Sequence, residues 1–177
     1  EITRPNYYAV ELNPSNAKKK IGVEITATER CGIFRISFPE NQSRYLFIEA
    51  SQQSQFNGWI KIDTINNEII GWNADRQSAH LGPPLPNFKG YFIVQFSQPI
   101  KNYATWLNGT FTEGNIQQQG DACGARVSFN ADTLLVKIGT SFISLDQARD
   151  NLDHEIPFWF FDIIREQTAF TWNSYLE

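Results

Sequence analysis

Asn73–Lys89 brings Asp75, Arg76 and His80 together just after Trp72, in a stretch whose Gly82-Pro83-Pro84-Leu85-Pro86 run is too rich in proline for a central strand. It is also long for a plain hairpin loop, and loops of that length carry function or motion. An indole face beside charged groups is the equipment that binds a sugar ring: the aromatic stacks on the pyranose and the charges bracket its hydroxyls. On that reading Trp72, Asp75, Arg76 and His80 line a sugar-facing edge or pack against another domain. The plainer reading, a proline-stiffened excursion with a solvated His80, is preferred because nothing in the sequence fixes a partner for His80. Paired carboxylates for glycosidic cleavage could come from Glu11, Glu24, Glu29, Asp63, Asp75, Asp121 or Asp132. Most of these read as strand-edge or turn residues. Glu24 and Glu29 flank Thr26 and Thr28 in one strand, where the polar side of a half-buried strand explains them equally well. His154 and Glu155, closing a helical stretch, suit a helix end and its junction as well as a site.

Other chemistry is sparse. The chain has no Gly-x-Ser-x-Gly elbow, phosphate-binding loop, dinucleotide glycine pattern or His-Glu-x-x-His. With two His and two Cys far apart, a structural zinc site is not expected. Cys31 and Cys123 allow one disulfide or two buried thiols. A net charge of -4 with scattered Lys and Arg argues against nucleic-acid binding, the one basic run being Lys18-Lys19-Lys20. No apolar run approaches the roughly 18 residues of a membrane span. Asn41-Gln42-Ser43 and Asn108-Gly109-Thr110 are glycosylation sequons in turn-like surroundings, which points towards secretion. The chain has no Met, which reads as a processed or excised piece.

The elements that position these residues are short strands: Tyr7–Leu12, Ile21–Thr28, Gly32–Phe38, Tyr45–Ala50, Trp59–Asp63, Glu68–Trp72, Gly90–Ser97, Tyr103–Leu107, Ala125–Phe129 and Thr133–Ile143. Ile21, Val23, Ile25 and Ala27 share one face, as do Phe34, Ile36 and Phe38. Turn chemistry separates them at Asn13-Pro14-Ser15-Asn16, Asn57-Gly58, Asn66-Asn67, Asn108-Gly109 and Glu113-Gly114-Asn115. This spacing predicts an antiparallel β-sandwich.

After Ile143 the period changes. Ser144 with Gln147 makes a capping box, and Leu145, Ala148 and Leu152 fall on one face of a helix over Ser144–Glu155. Pro157 ends it and suits the first turn of a second helix, Phe158–Leu176. There Phe161, Ile164 and Thr168 form one stripe, yet Phe158, Trp159, Phe160, Phe170, Trp172 and Tyr175 make the segment apolar on nearly every side. The chain carries 14 Phe and 5 Trp, more than an ordinary surface needs, so a cover from beyond Glu177 is expected.

Gly139–Glu155, followed by Phe158-Trp159-Phe160-Phe161-Asp162 and Trp172-Asn173, resembles the junction of the glycoside hydrolase family 92 α-mannosidases. Arg4–Leu12, Val23–Gly32 and Phe34–Pro39 fit in the same order, so the resemblance covers nearly the whole chain. Two departures stand out: Trp159-Phe160-Phe161-Asp162 replaces the usual Trp-Asp-Phe-Asp, and the roughly hundred residues that family members carry before the Tyr-Tyr motif are not here. The resemblance implies a galactose-mutarotase-like supersandwich over residues 1–143, N-terminally truncated, and linker helices over 144–177 leading to an absent catalytic (α/α)6 barrel. It implies a calcium-dependent, inverting exo-α-mannosidase acting on mannose-containing glycans, with calcium and the catalytic carboxyls held in the complete enzyme and none expected in this chain. Inversion needs two carboxyls about 6.5–9.5 Å apart, and calcium about six to eight oxygen ligands; no position here matches those motifs. The expected role is to support the barrel and wall the sugar cleft, with Phe158, Trp159, Phe161, Ile164 and Trp172 as the interdomain face. The alternative is an independent lectin-like module using exposed Trp59, Trp72 and Trp106.

Overall fold

The computed structural model describes residues 1–13, 20–40, 43–52, 57–74 and 87–176. Asn41, Asp75, Arg76, His80, Lys18 and Lys19, and most of the Asn13–Asn16 turn, lie outside the described residues. Strands β1 (Ile2–Arg4), β2 (Tyr7–Leu12), β3 (Ile21–Ala27), β4 (Cys31–Ser37), β6 (Gly58–Asp63), β7 (Glu68–Asn73), β8 (Gly90–Phe96), β11 (Gln117–Gly120) and β13 (Thr133–Ser141) form one sheet. Its order is β1-β2-β3-β4-β13-β8-β7-β6-β11. Strands β5 (Tyr45–Glu49), β9 (Asn102–Leu107), β10 (Thr110–Glu113) and β12 (Cys123–Ser128) form the second, ordered β10-β9-β12-β5. Helices α1 (Leu145–Glu155) and α2 (Phe161–Leu176) follow. Every strand pair is antiparallel, and the fold is the β-sandwich that the alternation predicts.

Cross-strand rows build the core between the sheets. Ile138, Val94, Ile69 and Ile62 stand opposite one another over four strands, and Val23, Ile36 and Leu134 do so over three. Ala125, Val127 and Phe129 close the layer from the smaller sheet. Because successive side chains alternate sides, the same strands also carry a second apolar set on the outer face. There Cys31, Ile33 and Ile93 pack with Ala148, Leu152, Ile156, Phe161 and Ile164. Strands and helices on either side of residue 143 therefore share one cluster.

Several local expectations are corrected. Strands β1, β10 and β11 were not foreseen: β11 reads Gln-Gln-Gln-Gly and pairs at the sheet edge with β6, where no hydrophobic alternation is required. The Ser144 hydroxyl does accept the Gln147 N–H at 3.0 Å, but the Gln147 side chain reaches forward to Asn151 rather than back, so only half of the capping box forms. Helix α2 begins at Phe161, not near Pro157, and residues 157–160 form an irregular corner. Cys31 and Cys123 are buried thiols in different clusters, one under the helices and one between the sheets, and they do not form the possible disulfide with each other.

Candidate functional site

The outer face of the large sheet is where charge and helix meet. Helix α1 is seated on Gly139, where a Cβ would lie 2.5 Å from the Ala148 carbonyl oxygen and 2.7 Å from the Leu152 Cβ, so only glycine admits the helix at this depth. Arg149 reaches from α1 to β7 and grips Glu68 through two nitrogens at 2.9 and 2.5 Å, with the Glu68 side chain almost fully buried. At the far end Glu155 accepts from Thr28 Oγ1 at 2.5 Å, Arg30 N at 3.1 Å and Arg30 Nε at 2.6 Å. Burial pushes the Glu155 carboxyl up, but these donors outweigh it and hold it below its ordinary value. Burial and the neighbouring Glu155 charge push the Cys31 thiol up to about 12, so it is an inert thiol at neutral pH. Lys137, buried in β13, donates to the Ile156 carbonyl at 3.1 Å and lies 4.6 Å from the centre of the Trp159 ring, fixing the corner between the helices. Burial depresses its pKa, as a shielded ammonium requires.

Helix α2 is held by a second cluster. Glu24 and Arg35 stand opposite each other on β3 and β4, and the guanidinium pairs with the carboxylate at 2.5 and 2.8 Å. Arg35 also donates to Asp162 at 2.9 Å and stacks 4.4 Å from the Phe161 ring centre, while Tyr7 donates to Glu24 at 2.6 Å. Arg35 holds the Glu24 carboxyl below its ordinary value against the effect of burial, with help from Tyr7. Phe161, Ile164 and Thr168 point into the sheet and are buried, as their spacing predicts. That removes Phe161 and Ile164 from the expected interdomain face, and Trp159 is only half exposed over Lys137. The exposed side of the segment is Phe158, Phe160, Ile163, Phe170, Trp172, Tyr175 and Leu176. Between α2 and the β3–β4 turn lies an open groove of about 530 Å³ whose lining includes Arg30, His154, Glu155, Gln167, Trp172 and Tyr175.

Trp72 stands in a different place, in a row with Trp59 and Tyr91 across β6, β7 and β8 on the same outer face, with Lys89 Nζ 4.2 Å from its ring. Its expected companions Asp75, Arg76 and His80 lie outside the described residues. Trp59 and Trp72 are half-buried and Trp106 is only 8% exposed, so the trio of exposed tryptophans expected of a lectin-like module does not form. Asn108 is exposed in the β9–β10 turn in the left-handed region, φ 49. Among the described residues no group of three or more His, Cys, Asp or Glu gathers to hold a metal ion. The shielded carboxylates do not fit a calcium cage, because buried Glu68 and half-buried Glu24 and Glu155 are each already paired with an arginine. The Glu24–Arg35 and Glu68–Arg149 clasps were missed by sequence reasoning; the available signal was the position of Glu24 and Arg35 at matching places on successive strands.

The family model described as the glycosyl hydrolase family 92 N-terminal domain matches residues 1–141, and the chain belongs to that family. A curated relative from Arthroderma benhamiae, described as an uncharacterized secreted glycosidase, is 24% identical over 197 residues, covering 98% of this chain and 24% of its own length. The structure of a family GH92 inverting mannosidase from Bacteroides thetaiotaomicron aligns with TM-score 0.85 and 26% identity over 97% of this chain and 22% of its own. A family GH92 α-mannosidase from the same organism, 23% identical over 96% of this chain and 23% of its own, shares the fold with TM-score 0.79. The chain spans less than a quarter of the length of each of these relatives. No helix of the described residues is long and apolar enough to cross a membrane.

Proposed function

We propose that this chain is the non-catalytic sandwich part of a secreted, calcium-dependent, inverting exo-α-mannosidase, seating a helical catalytic barrel and walling the cleft that receives mannose-containing glycans. The observation that carries the reading is the division of α2: one stripe is clamped to the sandwich through Phe161, Ile164 and the Arg35–Asp162 pair, and the opposite side leaves Phe170 and Tyr175 more than three-quarters exposed. A helix held so firmly on one side and so apolar on the other is a surface prepared for a partner. The barrel is the partner in this reading, since the relatives are more than four times longer and include an inverting mannosidase. The groove beside Trp172 and Tyr175 then lies along the seam and forms one of its walls. Arginine-paired carboxylates are poor acids and bases and poor calcium ligands, so acid, base and ion come from the barrel.

The test is reconstitution. Alone, the homogeneous chain should release no mannose from an aryl α-mannoside; co-expressed with a family GH92 helical barrel it should co-purify one to one, and release should appear only in the pair. Chelation should abolish that activity while leaving the melting of the isolated chain unchanged. Mannose release by the chain alone, or a barrel that ignores it, would overturn the reading.

A further inference from the structure

The side of the sandwich away from both helices carries an aromatic surface that the seating of a barrel on α2 does not use. On β5, Tyr45 and Phe47 alternate outward and are 42% and 58% exposed. Across the sheet Phe111 of β10, 43% exposed, stands opposite Trp106 of β9. The Trp106 indole lies flat on Gly124, where a Cβ would come within 2.2 Å of the ring, and its centre is 6.1 Å from that of Phe47 and 5.5 Å from that of Phe111. The result is a buried indole floor with Phe47 and Phe111 on it and Tyr45 exposed beside them. Arg126 is set among them, its guanidinium carbon 5.2 Å from the ring centres of both Tyr45 and Phe111. It donates to Glu113, and a guanidinium has five N–H donors in all.

From this we infer that the outer face of the four-stranded sheet is a non-catalytic binding platform for a neutral pyranose chain. The C–H face of a pyranose packs on an aromatic face, and a guanidinium beside a carboxylate offers donors and an acceptor to neighbouring hydroxyls. Charge disfavours an anionic ligand: Arg126 is paired with Glu113, and the rim carboxylate Glu49, which accepts from the Gln52 amide at 2.8 Å, keeps its charge. A protein partner would need an anchor entering a desolvated pocket, whereas the largest ring here, Trp106, is already covered by Phe47 and Phe111 from the same chain.

Native affinity electrophoresis of the 177-residue chain in gels containing soluble α-mannan tests the inference. The chain should be retarded. Phe47→Ala and Phe111→Ala should each weaken retardation about five- to tenfold with unchanged far-ultraviolet dichroism, and Ile65→Ser, on a distant turn, should match the parent. No retardation by mannan, or retardation that neither Phe variant changes, would overturn it. So would concentration-dependent dimerisation in light scattering that Phe47→Ala abolishes, since the face would then meet a second copy of the chain. Mannose release plays no part in this readout, so failure here is distinct from failure of the barrel reading.

Discussion

Helices α1 and α2 lie on the same face of the same sheet, and they are built on opposite plans. Helix α1 is polar outside, and its buried side is small and complete: Ala148, Asn151 and Leu152 fill the shelf made by Gly139. Its start is capped by Ser144, its middle is tied by Arg149 to Glu68, and its end is held by Thr28 and Arg30 on Glu155. Helix α2 has a buried stripe of Phe161, Ile164 and Thr168, and beyond Thr168 every described residue except the half-buried Ala169 is exposed, aromatic ones included. The difference teaches what apolarity on a helix means. An apolar stripe opposite charge reports a neighbour within the chain; apolarity on the remaining sides reports a surface that its own sandwich does not cover.

The sharpest way to break the contrast is through the α1 shelf. Leu152→Ala should cost about 3 kcal/mol in urea unfolding, and Gly139→Val about 2 kcal/mol or more, because the first opens a cavity and the second drives the helix off the sheet. If either is silent, α1 is not integral to the fold. Arg149→Met should cost about 2 kcal/mol in the same assay, since it strands the buried Glu68 carboxylate while Arg149 itself is partly solvated.

Acidification separates the two helices. The Glu24 and Glu155 carboxyls both lie below the ordinary value of 4.5, so the stability they contribute is complete above that pH and is lost as the pH falls through their lower folded values. Hydrogen exchange should show both helices loosening below about pH 4. Glu24→Gln should weaken α2 at pH 7 and flatten its acid response, leaving α1 unchanged; Glu155→Gln should do the reverse. Equal effects on both helices would mean that they move as one. The smallest effect is expected at the far side of α2, where Phe170→Ser should alter the stability of the chain by no more than about 0.5 kcal/mol. A larger loss would show that this side is covered from within.

The strands were legible because one rule, alternation, governs most of them: Ile60 and Ile62, or Leu134 and Val136, announce the face they bury. Gln117–Gly120 obeys no such rule: as the edge strand it pairs on one side only, with β6, and its polar residues are exposed or half-buried. The stripe of α2 was legible too, but not how far it decides burial. Of three neighbouring phenylalanines, Phe161 turns inward with the stripe of Ile164 and Thr168, whereas Phe158 and Phe160 stay exposed in the irregular corner where Lys137 donates to the Ile156 carbonyl. Arg35 reads as a strand surface residue until β4 is placed beside β3 and under α2, when it becomes the joint between them. Pairings of this kind depend on register and on a helix more than a hundred residues away in sequence, which composition and periodicity do not encode.

Strand β13 is last in sequence among the strands and central in the large sheet, hydrogen-bonded to β4 on one side and β8 on the other. Until it is in place, β1–β4 and β6–β8 are two separate patches with open edges, and the pairing that joins them spans much of the chain, a slow and exposed step. Closure of the large sheet therefore needs the chain as far as residue 141, and α1, next in sequence, packs over the seam between β4, β13 and β8. The order of the chain makes completion of the sandwich and docking of its first helix nearly one event, and a nascent chain stopped short of Thr133 would present sheet edges to whatever it met first.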